Sequence, residues 1–311
     1  MEEKTKIIDE KQGKITAVIT TYKRNSSLVE RAIKSVVSQT YNNIELLVVD
    51  DNSDNNDSYG IKKIVQKYAD QGVKYLTYPG NRGANYARNY GLAHADGEFI
   101  AYLDDDDEWL PEKLEKQIAV FTDKDVALVY CRSKAVNDMT GIEKDGDYCI
   151  HRGNVYPQLM LKNFIGSASF ALLRTSCVRN VGGFDEELLA SQDADLWIRL
   201  SEKYKIDYVD EILCIYHIHN GERITENPYK RIQGIERINE KNKEYLKKDR
   251  ETRWIRNMKL TPYYAMNAQL AKALQIWAFC CTTCPQNIGK NIWYLKRILG
   301  SYRSYLRTRM K

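Results

Sequence analysis

Short runs of β-branched residues alternate with stretches of helical spacing through the first 120 residues, and this alternation limits the possible folds more than any other feature. Ile15–Thr20 has the composition of a strand, and Ile44–Val49 is a continuous apolar run, as a buried parallel strand is. Ser27–Ser38, between them, places its apolar residues on one helical face. Repeated strand–helix–strand units predict an α/β fold, with a mostly parallel, Rossmann-like sheet and helices on both faces.

Further runs extend this pattern. The remaining elements that we expect are helices at Tyr59–Tyr68, Asn85–Ala95 and Pro111–Val120, and strands at Val73–Tyr78 and Phe99–Leu103. In a parallel sheet, the loops after all four strands emerge at the same carboxyl edge, where ligands of open α/β sheets bind. We therefore expect these four loops to form one site.

A polar cluster follows each of the four strands: Thr20–Arg24, Asp50–Ser53, Asn81–Gly83 and Asp104–Asp107. Four adjacent aspartates repel one another unless water or a cation screens them, so the alternatives are a solvated acidic loop and a metal site. Their convergence with other polar loops favours Mg²⁺ or Mn²⁺, which proteins often hold with one or two carboxylates plus substrate phosphates. Because the sequence has no P-loop and no dinucleotide fingerprint, we expect a metal-bound nucleoside diphosphate.

Six motifs in order resemble the inverting family 2 glycosyltransferases with the GT-A fold. They are AVITTYKR, SVVSQTYNNIELLVVDDNS, NRGANYARNYGL, YLDDDDEWLPEKLEKQ, VGGFDEELLASQDADLWIRL and YHIHNGERIT. The resemblance implies a GT-A catalytic domain at residues 14–225, with a nucleotide-sugar half at 14–110 and an acceptor half at 111–225. Residues 1–13 are then an N-terminal extension, and residues 226–311 are a C-terminal helical basic region.

The resemblance also implies roles for individual residues. The nucleotide-sugar contacts that it implies are Thr20, Tyr22, Arg24, Asp51, Arg88, Asp104 and Asp105. It implies that Asp106 and His219 hold Mn²⁺ or Mg²⁺, although His219 also fits a structural histidine, and that Asp193 is the catalytic base. Gln192 stands where family members often carry Glu. The segment Asn163–Ser169 matches the acceptor side.

The function implied is a metal-dependent, inverting glycosyltransferase of EC class 2.4, of the bacterial surface-polysaccharide type. A UDP-sugar is the favoured donor, and a hydroxyl of a glycan or lipid-linked molecule is the acceptor. One alternative is a non-catalytic GT-A module that binds a nucleotide or cation, which the presence of Asp51, Asp106 and Asp193 together disfavours. Another is a GT-A-like nucleotidyltransferase, whose glycine- and lysine-rich phosphate loop is missing from TTYKRNSS.

The charge is divided unevenly along the chain. Residues 221–311 carry 20 Lys and Arg against 7 Asp and Glu, whereas residues 1–220 carry 27 against 35. The spacing predicts helices at Tyr229–Lys248, Tyr263–Cys281 and Ile288–Leu306. Basic helices with Trp and Tyr favour an anionic membrane surface over nucleic acid, and packing on the catalytic domain is the alternative.

The beginning of the chain, MEEKTKIIDEKQGK, is charged and lacks the apolar segment of a signal peptide. Combined with the basic C-terminal helices, this predicts a cytoplasmic protein that is peripheral at the inner face of the cell membrane.

Overall fold

The computed structural model describes residues 13–52, 55–146, 149–219 and 227–309. The chain divides into two compact units. The first comprises Met1–Tyr156, Phe164–Glu186 and Leu196–Asn220, and the second comprises Pro157–Asn163, Glu187–Asp195 and Gly221–Lys311. Pro157–Asn163 and Glu187–Asp195, from within residues 14–225, therefore belong to the second unit.

The described strands form one sheet in the first unit. In chain order they are β1 (Ile15–Thr21), β2 (Ile44–Asp50), β3 (Val73–Thr77), β4 (Phe99–Asp104), β5 (Glu108–Trp109), β6 (Val126–Asn137), β7 (Glu143–Asp145), β8 (Ala171–Arg174) and β9 (Lys205–Ile218). Their order across the sheet is β3-β2-β1-β4-β8-β6-β9-β5, and β7 pairs with β6. The first four strands are parallel, as predicted, whereas β8 runs antiparallel to both its neighbours.

Helices follow the strands in the expected alternation. In chain order they are α1 (Ser26–Val37), α2 (Asn55–Gln66), α3 (Ala84–His94), α4 (Lys113–Ile118), α5 (Tyr156–Leu161), α6 (Thr175–Asn180) and α7 (Gln192–Lys203). The helix expected through Val120 ends at Ile118. α1 begins where it does because the Asn25 side chain accepts the Ser27 N–H at 3.0 Å, which satisfies one free donor of the first turn.

The central strands are buried because both of their faces are covered, which is why they read as continuous apolar runs. Ile19 of β1, Val48 of β2 and Ala101 of β4 lie in one core with Ile33 of α1, all fully buried. Gly91 lets α3 approach this sheet closely, since a Cβ at that position would lie 2.5 Å from Val18 Cγ1. The close approach fixes the helix that carries Arg88.

Five helices make up most of the second unit. They are α8 (Pro228–Lys241), α9 (Lys243–Lys248), α10 (Arg250–Met266), α11 (Leu270–Thr283) and α12 (Ile288–Arg309). The single helix expected over Tyr263–Cys281 is wrong, because the chain leaves α10 after Met266 and Ala268 has a φ of 62°. The helix expected over Tyr229–Lys248 divides at Asn242, whereas the one beginning at Ile288 is confirmed.

Two apolar clusters hold these helices together. Ile232, Leu260, Tyr264, Ala273 and Ile298 belong to one cluster of buried residues. The other is Trp254, Met258, Cys280 and Cys284. None of the described helices has both the length and the apolar character that crossing a membrane requires.

Candidate active site

The carboxyl ends of the parallel strands meet, as the sequence predicted. Thr20 of β1 pairs with Val49 of β2 on one side and with Asp104 of β4 on the other. The loop after β1 is tied to the loop after β2, because the Lys23 N–H donates to Asn52 Oδ1 at 2.8 Å. Tyr22 on this loop is 45% exposed. Its ring is therefore accessible at the same edge as the aspartates.

The Asp106 carboxylate contacts both an imidazole and a guanidinium. His219, directly after β9, has its Nε2 2.6 Å from Asp106 Oδ2. Arg24 reaches the same oxygen with Nη2 at 3.1 Å and donates from Nε to Asp105 Oδ1 at 2.9 Å. Arg24 Nη1 also lies 3.4 Å from His219 Nε2. The loops after β1, β4 and β9 thus share one polar cluster.

The four consecutive aspartates have very different surroundings. Asp107 is fully buried, accepts Ser169 Oγ–H at 2.6 Å and the His217 backbone N–H at 3.3 Å, and burial raises its pKa well above the usual value. Burial also raises the pKa of Asp105, to about 6, against the opposing effect of the Arg24 charge. The side chains of Asp104 and Asp106 keep 28% and 18% exposure. Only these two present substantial carboxylate surface to a ligand.

Asp104 is held by a cation and two hydroxyl groups. Arg88 Nη2 donates to its Oδ1 at 2.8 Å, and Ser167 Oγ donates to its Oδ2 at 3.0 Å. Its backbone N–H donates to Ser169 Oγ at 3.1 Å. Ser169 therefore links Asp104 to Asp107, a contact that the sequence did not predict. Ser167 and Ser169 belong to the segment Asn163–Ser169, which matches the acceptor side of the family. This segment therefore contacts the aspartate loop.

Asp51 organises the start of α3. Its Oδ1 accepts the Tyr78 hydroxyl at 2.9 Å and the Arg82 N–H at 2.7 Å, and its Oδ2 accepts the Gly83 N–H at 2.8 Å. Gly83 has a φ of +88°, which favours glycine. Sequence reasoning missed this structural role, because two of the three donors are backbone groups that any residue type supplies.

Asp193 occupies the first turn of α7 and belongs to the second unit, whereas the other predicted site residues belong to the first. Asp195, two residues on, is buried and paired with Lys241 Nζ at 2.7 Å. Arg199 donates to the backbone oxygens of Val181 and Gly183, at 2.6 and 2.7 Å. Asp195 and Arg199 therefore serve packing.

The donor set fits an open metal site. Within the described ranges, no group of three or more His, Cys, Asp or Glu side chains is arranged to hold an ion by itself. Asp106 and His219 supply one carboxylate and one imidazole, both partly exposed. Mg²⁺ and Mn²⁺ commonly take few protein ligands and complete their coordination with phosphate oxygens and water. Asp106 and His219 alone supply too few ligands for such an ion, and two arginines lie close by. The site therefore suits an ion that arrives together with a phosphate ligand.

Residues 16–182 match the family model described as Glycosyl transferase family 2. The chain belongs to this family. It is a glycosyltransferase, which confirms the expected family and the expected enzyme class. A similar protein is the UDP-Glc:alpha-D-GlcNAc-diphosphoundecaprenol beta-1,3-glucosyltransferase WfgD of Escherichia coli, 29% identical over 66% of this chain and 77% of that protein. The match to a longer glycosyltransferase of Rickettsia conorii, 30% identical over 71% of this chain, spans only 36% of that protein.

Solved structures support the fold. Staphylococcus aureus TarS 1–349 in complex with UDP-GlcNAc is 17% identical, with a TM-score of 0.65 over 96% of this chain and 91% of that chain. The mannosyltransferase PcManGT of Pyrobaculum calidifontis, in complex with GDP-Man and Mn²⁺, is 15% identical, with a TM-score of 0.60 over 94% and 84%. The expected GT-A fold with a C-terminal helical region is confirmed.

Proposed function

We propose that this family 2 glycosyltransferase is metal-dependent and inverting, and that it transfers a sugar from a nucleoside-diphosphate sugar to a hydroxyl of a glycan or lipid-linked acceptor. The observation that carries the proposal is the contact between Asp106 and His219, 2.6 Å apart, with Arg24 on the same carboxylate oxygen. Paired carboxylate and imidazole ligands beside an arginine are suited to a cation that carries a diphosphate.

Asp106 and His219 would hold Mn²⁺ or Mg²⁺, and this ion supplies Lewis-acid stabilisation of the departing nucleoside diphosphate. Arg24 and Arg88 add fixed positive charge at the same edge, where guanidinium groups recognise phosphate oxygens well. The mannosyltransferase structure containing GDP-Man and Mn²⁺ shares this fold, which supports a divalent ion here.

The remaining donor contacts lie on the first two loops. The exposed ring of Tyr22 offers a face on which a base stacks. Asp51, whose Oδ2 accepts one N–H, has a further lone pair for an N–H donor of the base. Thr20 is the next-to-last residue of β1, just before the loop that carries Tyr22. UDP is the favoured nucleotide, in keeping with the names of the glucosyltransferase relative and the TarS complex.

Asp193 is the proposed base. It takes the proton of the acceptor hydroxyl while the hydroxyl oxygen forms a bond to the anomeric carbon and the bond to the diphosphate breaks. A single displacement of this kind inverts the anomeric centre. The match of SQDADLWIRL to the family motif, in which Asp193 stands at the position of the base, supports this role.

The acceptor is proposed to be carried on a lipid diphosphate, since the name of the glucosyltransferase relative specifies a sugar-diphosphoundecaprenol acceptor. Such acceptors belong to surface polysaccharide synthesis. An enzyme that extends them works at a membrane surface, so we place the protein in the cytoplasm, peripheral at the inner face of the membrane. The basic C-terminal helices are the proposed contact with anionic lipid.

Titration calorimetry of UDP, GDP, dTDP and CMP, each with and without Mn²⁺, tests the donor site. We expect one nucleotide to bind the wild type in the presence of the metal and to lose that binding in Asp106→Ala. Asp70→Ala, which removes an exposed carboxylate from the short 3₁₀ helix Ala69–Gln71, is the matched control and keeps binding. If no nucleotide binds under any condition, the alternative of a non-catalytic GT-A module replaces the proposal.

A further inference from the structure

One side of α12 exposes a row of aliphatic side chains. Ile288, Ile292, Leu299 and Leu306 are 68%, 50%, 42% and 42% exposed. With 3.6 residues per turn, these four positions fall within about 40° of one another around the helix axis. They form a continuous stripe along a helix of 22 residues, about 33 Å long. We call these four residues the aliphatic row.

The aliphatic row is not the side by which α12 packs. Ile298 is fully buried within the second unit, and Asn291 is 4% exposed. Trp254 Nε1 donates to Asn291 Oδ1 at 2.9 Å, and Trp277 Nε1 donates to the Asn291 backbone oxygen at 2.8 Å. These contacts fix the rotation of the helix about its axis, so the aliphatic row is held facing outward.

Basic side chains lie next to the aliphatic row. Lys296, Arg303 and Arg307 are exposed and project roughly 20–100° further round the helix than the row. We call these three residues the basic row. Residues 252–311 contain eleven Lys and Arg and neither Asp nor Glu, so the segment carries no acidic side chain of its own near them.

We propose that this face of α12 lies on an anionic lipid bilayer, with the aliphatic row entering the acyl boundary and the basic row contacting lipid phosphates. A helix with an apolar stripe bordered by Lys and Arg binds at such interfaces in this orientation. A second copy of the chain is disfavoured as the occupant, because two surfaces of the same positive charge repel each other. A nucleic acid would gain nothing from the four aliphatic side chains.

The proposal deepens the function proposed above, since it identifies the surface that brings the enzyme to a membrane. It does not require the donor site to be intact. The full-length protein is mixed with vesicles of neutral phosphatidylcholine, or of phosphatidylcholine with 30% phosphatidylglycerol, and bound protein is measured by sedimentation. We expect binding to the anionic vesicles that weakens as salt is raised, since exposed charges are screened.

Two double variants that each lose two positive charges show whether binding depends on the position of the charges on α12 or only on the total charge of the protein. Lys296→Gln with Arg303→Gln removes two members of the basic row, and we expect roughly 25-fold weaker partitioning, at about fivefold for each residue. Lys290→Gln with Arg297→Gln removes two exposed charges from the opposite side of the same helix. These lie about one helix diameter further from the bilayer, where 0.15 M salt screens them, so we expect less than fivefold.

The aliphatic row is tested by Leu299→Gln with Leu306→Gln, which keeps all charges and changes only exposed positions. We expect at least tenfold weaker partitioning from the loss of apolar contact. Circular dichroism and nucleotide titration of every variant show whether folding and donor binding persist, so that a failed donor site is distinguished from a failed membrane contact.

Four results would overturn the proposal: equal binding to neutral and anionic vesicles, equal effects of the two charge pairs, retention of full binding by the leucine variant, or binding to single-stranded nucleic acid in place of vesicles.

Discussion

His219 and Asp106 contact each other at 2.6 Å although 113 positions separate them in the chain. One follows β9 in the mixed half of the sheet, and the other follows β4 in the parallel half. The contact therefore depends on the whole sheet being assembled. Arg24 contacts the same carboxylate oxygen of Asp106. Its positive charge reduces the repulsion between the adjacent aspartates.

If Asp106 and His219 hold one ion together, their substitutions will not be additive. We expect Asp106→Asn and His219→Ala each to weaken Mn²⁺ binding in the presence of UDP by at least about tenfold, and the double variant to be little worse than the poorer single one. Electron paramagnetic resonance of free Mn²⁺ measures this directly. His94→Ala, on the exposed side of α3, is the control and keeps wild-type affinity. Fully additive losses would show that the two residues act separately.

Arg24 and an ion bound to Asp106 would compete for the same carboxylate oxygen. We therefore expect Arg24→Met to change the affinity for Mn²⁺ alone and the affinity for UDP in opposite directions. Without nucleotide, Mn²⁺ affinity is expected to rise severalfold, because a competing cation is gone. Affinity for UDP in the presence of Mn²⁺ is expected to fall, because a phosphate-recognising guanidinium is lost. Lys34→Met removes an exposed cation from α1 and is expected to change neither. Weaker Mn²⁺ binding without nucleotide would contradict the competition.

The sequence predicts the parallel strands and the convergence of their loops because both follow from local apolar runs and a general rule of chain connection. It does not show which of Asp104 to Asp107 are buried, since four identical residues in a row give no sign of their surroundings. Burial of Asp107 depends on Ser169 and on the backbone of His217, 62 and 110 positions away. The sequence also does not predict the end of α10 near Ala268, because neither glycine nor proline marks the end of the helix there.

Asp193 is expected to affect turnover and not donor binding. Asp193→Asn keeps the shape of the side chain but cannot take up the proton of the acceptor, so kcat should fall by about 10² to 10⁴-fold. UDP affinity measured by calorimetry should stay within about twofold of wild type. Glu202→Gln, an exposed change of the same type on the same helix α7, is the control. Unchanged turnover in Asp193→Asn would assign the base to another residue.

Gly91 and Gly60 both lie within helices, yet alanine should have opposite effects at the two positions. A Cβ at Gly91 would lie 2.5 Å from Val18 Cγ1, so Gly91→Ala forces α3 away from β1 and is expected to cost about 1–3 kcal/mol of unfolding free energy. A Cβ at Gly60 meets no atom within 4 Å, so Gly60→Ala should stabilise by about 0.5–1 kcal/mol. Urea denaturation of both variants compares them. Equal effects would mean that α3 tolerates displacement.

Lys259 makes the stability of the second unit depend on pH. Burial, with the charges of Arg256 and Lys162, lowers the pKa of this lysine from 10.5 to about 8. Between pH 8 and 10.5 the unfolded chain therefore binds more protons than the folded one, so this group's contribution to stability increases with pH. Lys259→Met removes the titration. From pH 7 to 10 the unfolding free energy of wild type should gain about 1–2 kcal/mol relative to the variant, allowing for partial exposure of the side chain. Other titrating groups are common to both proteins and cancel in the difference, so a difference that stays constant with pH would show that the lysine is not perturbed.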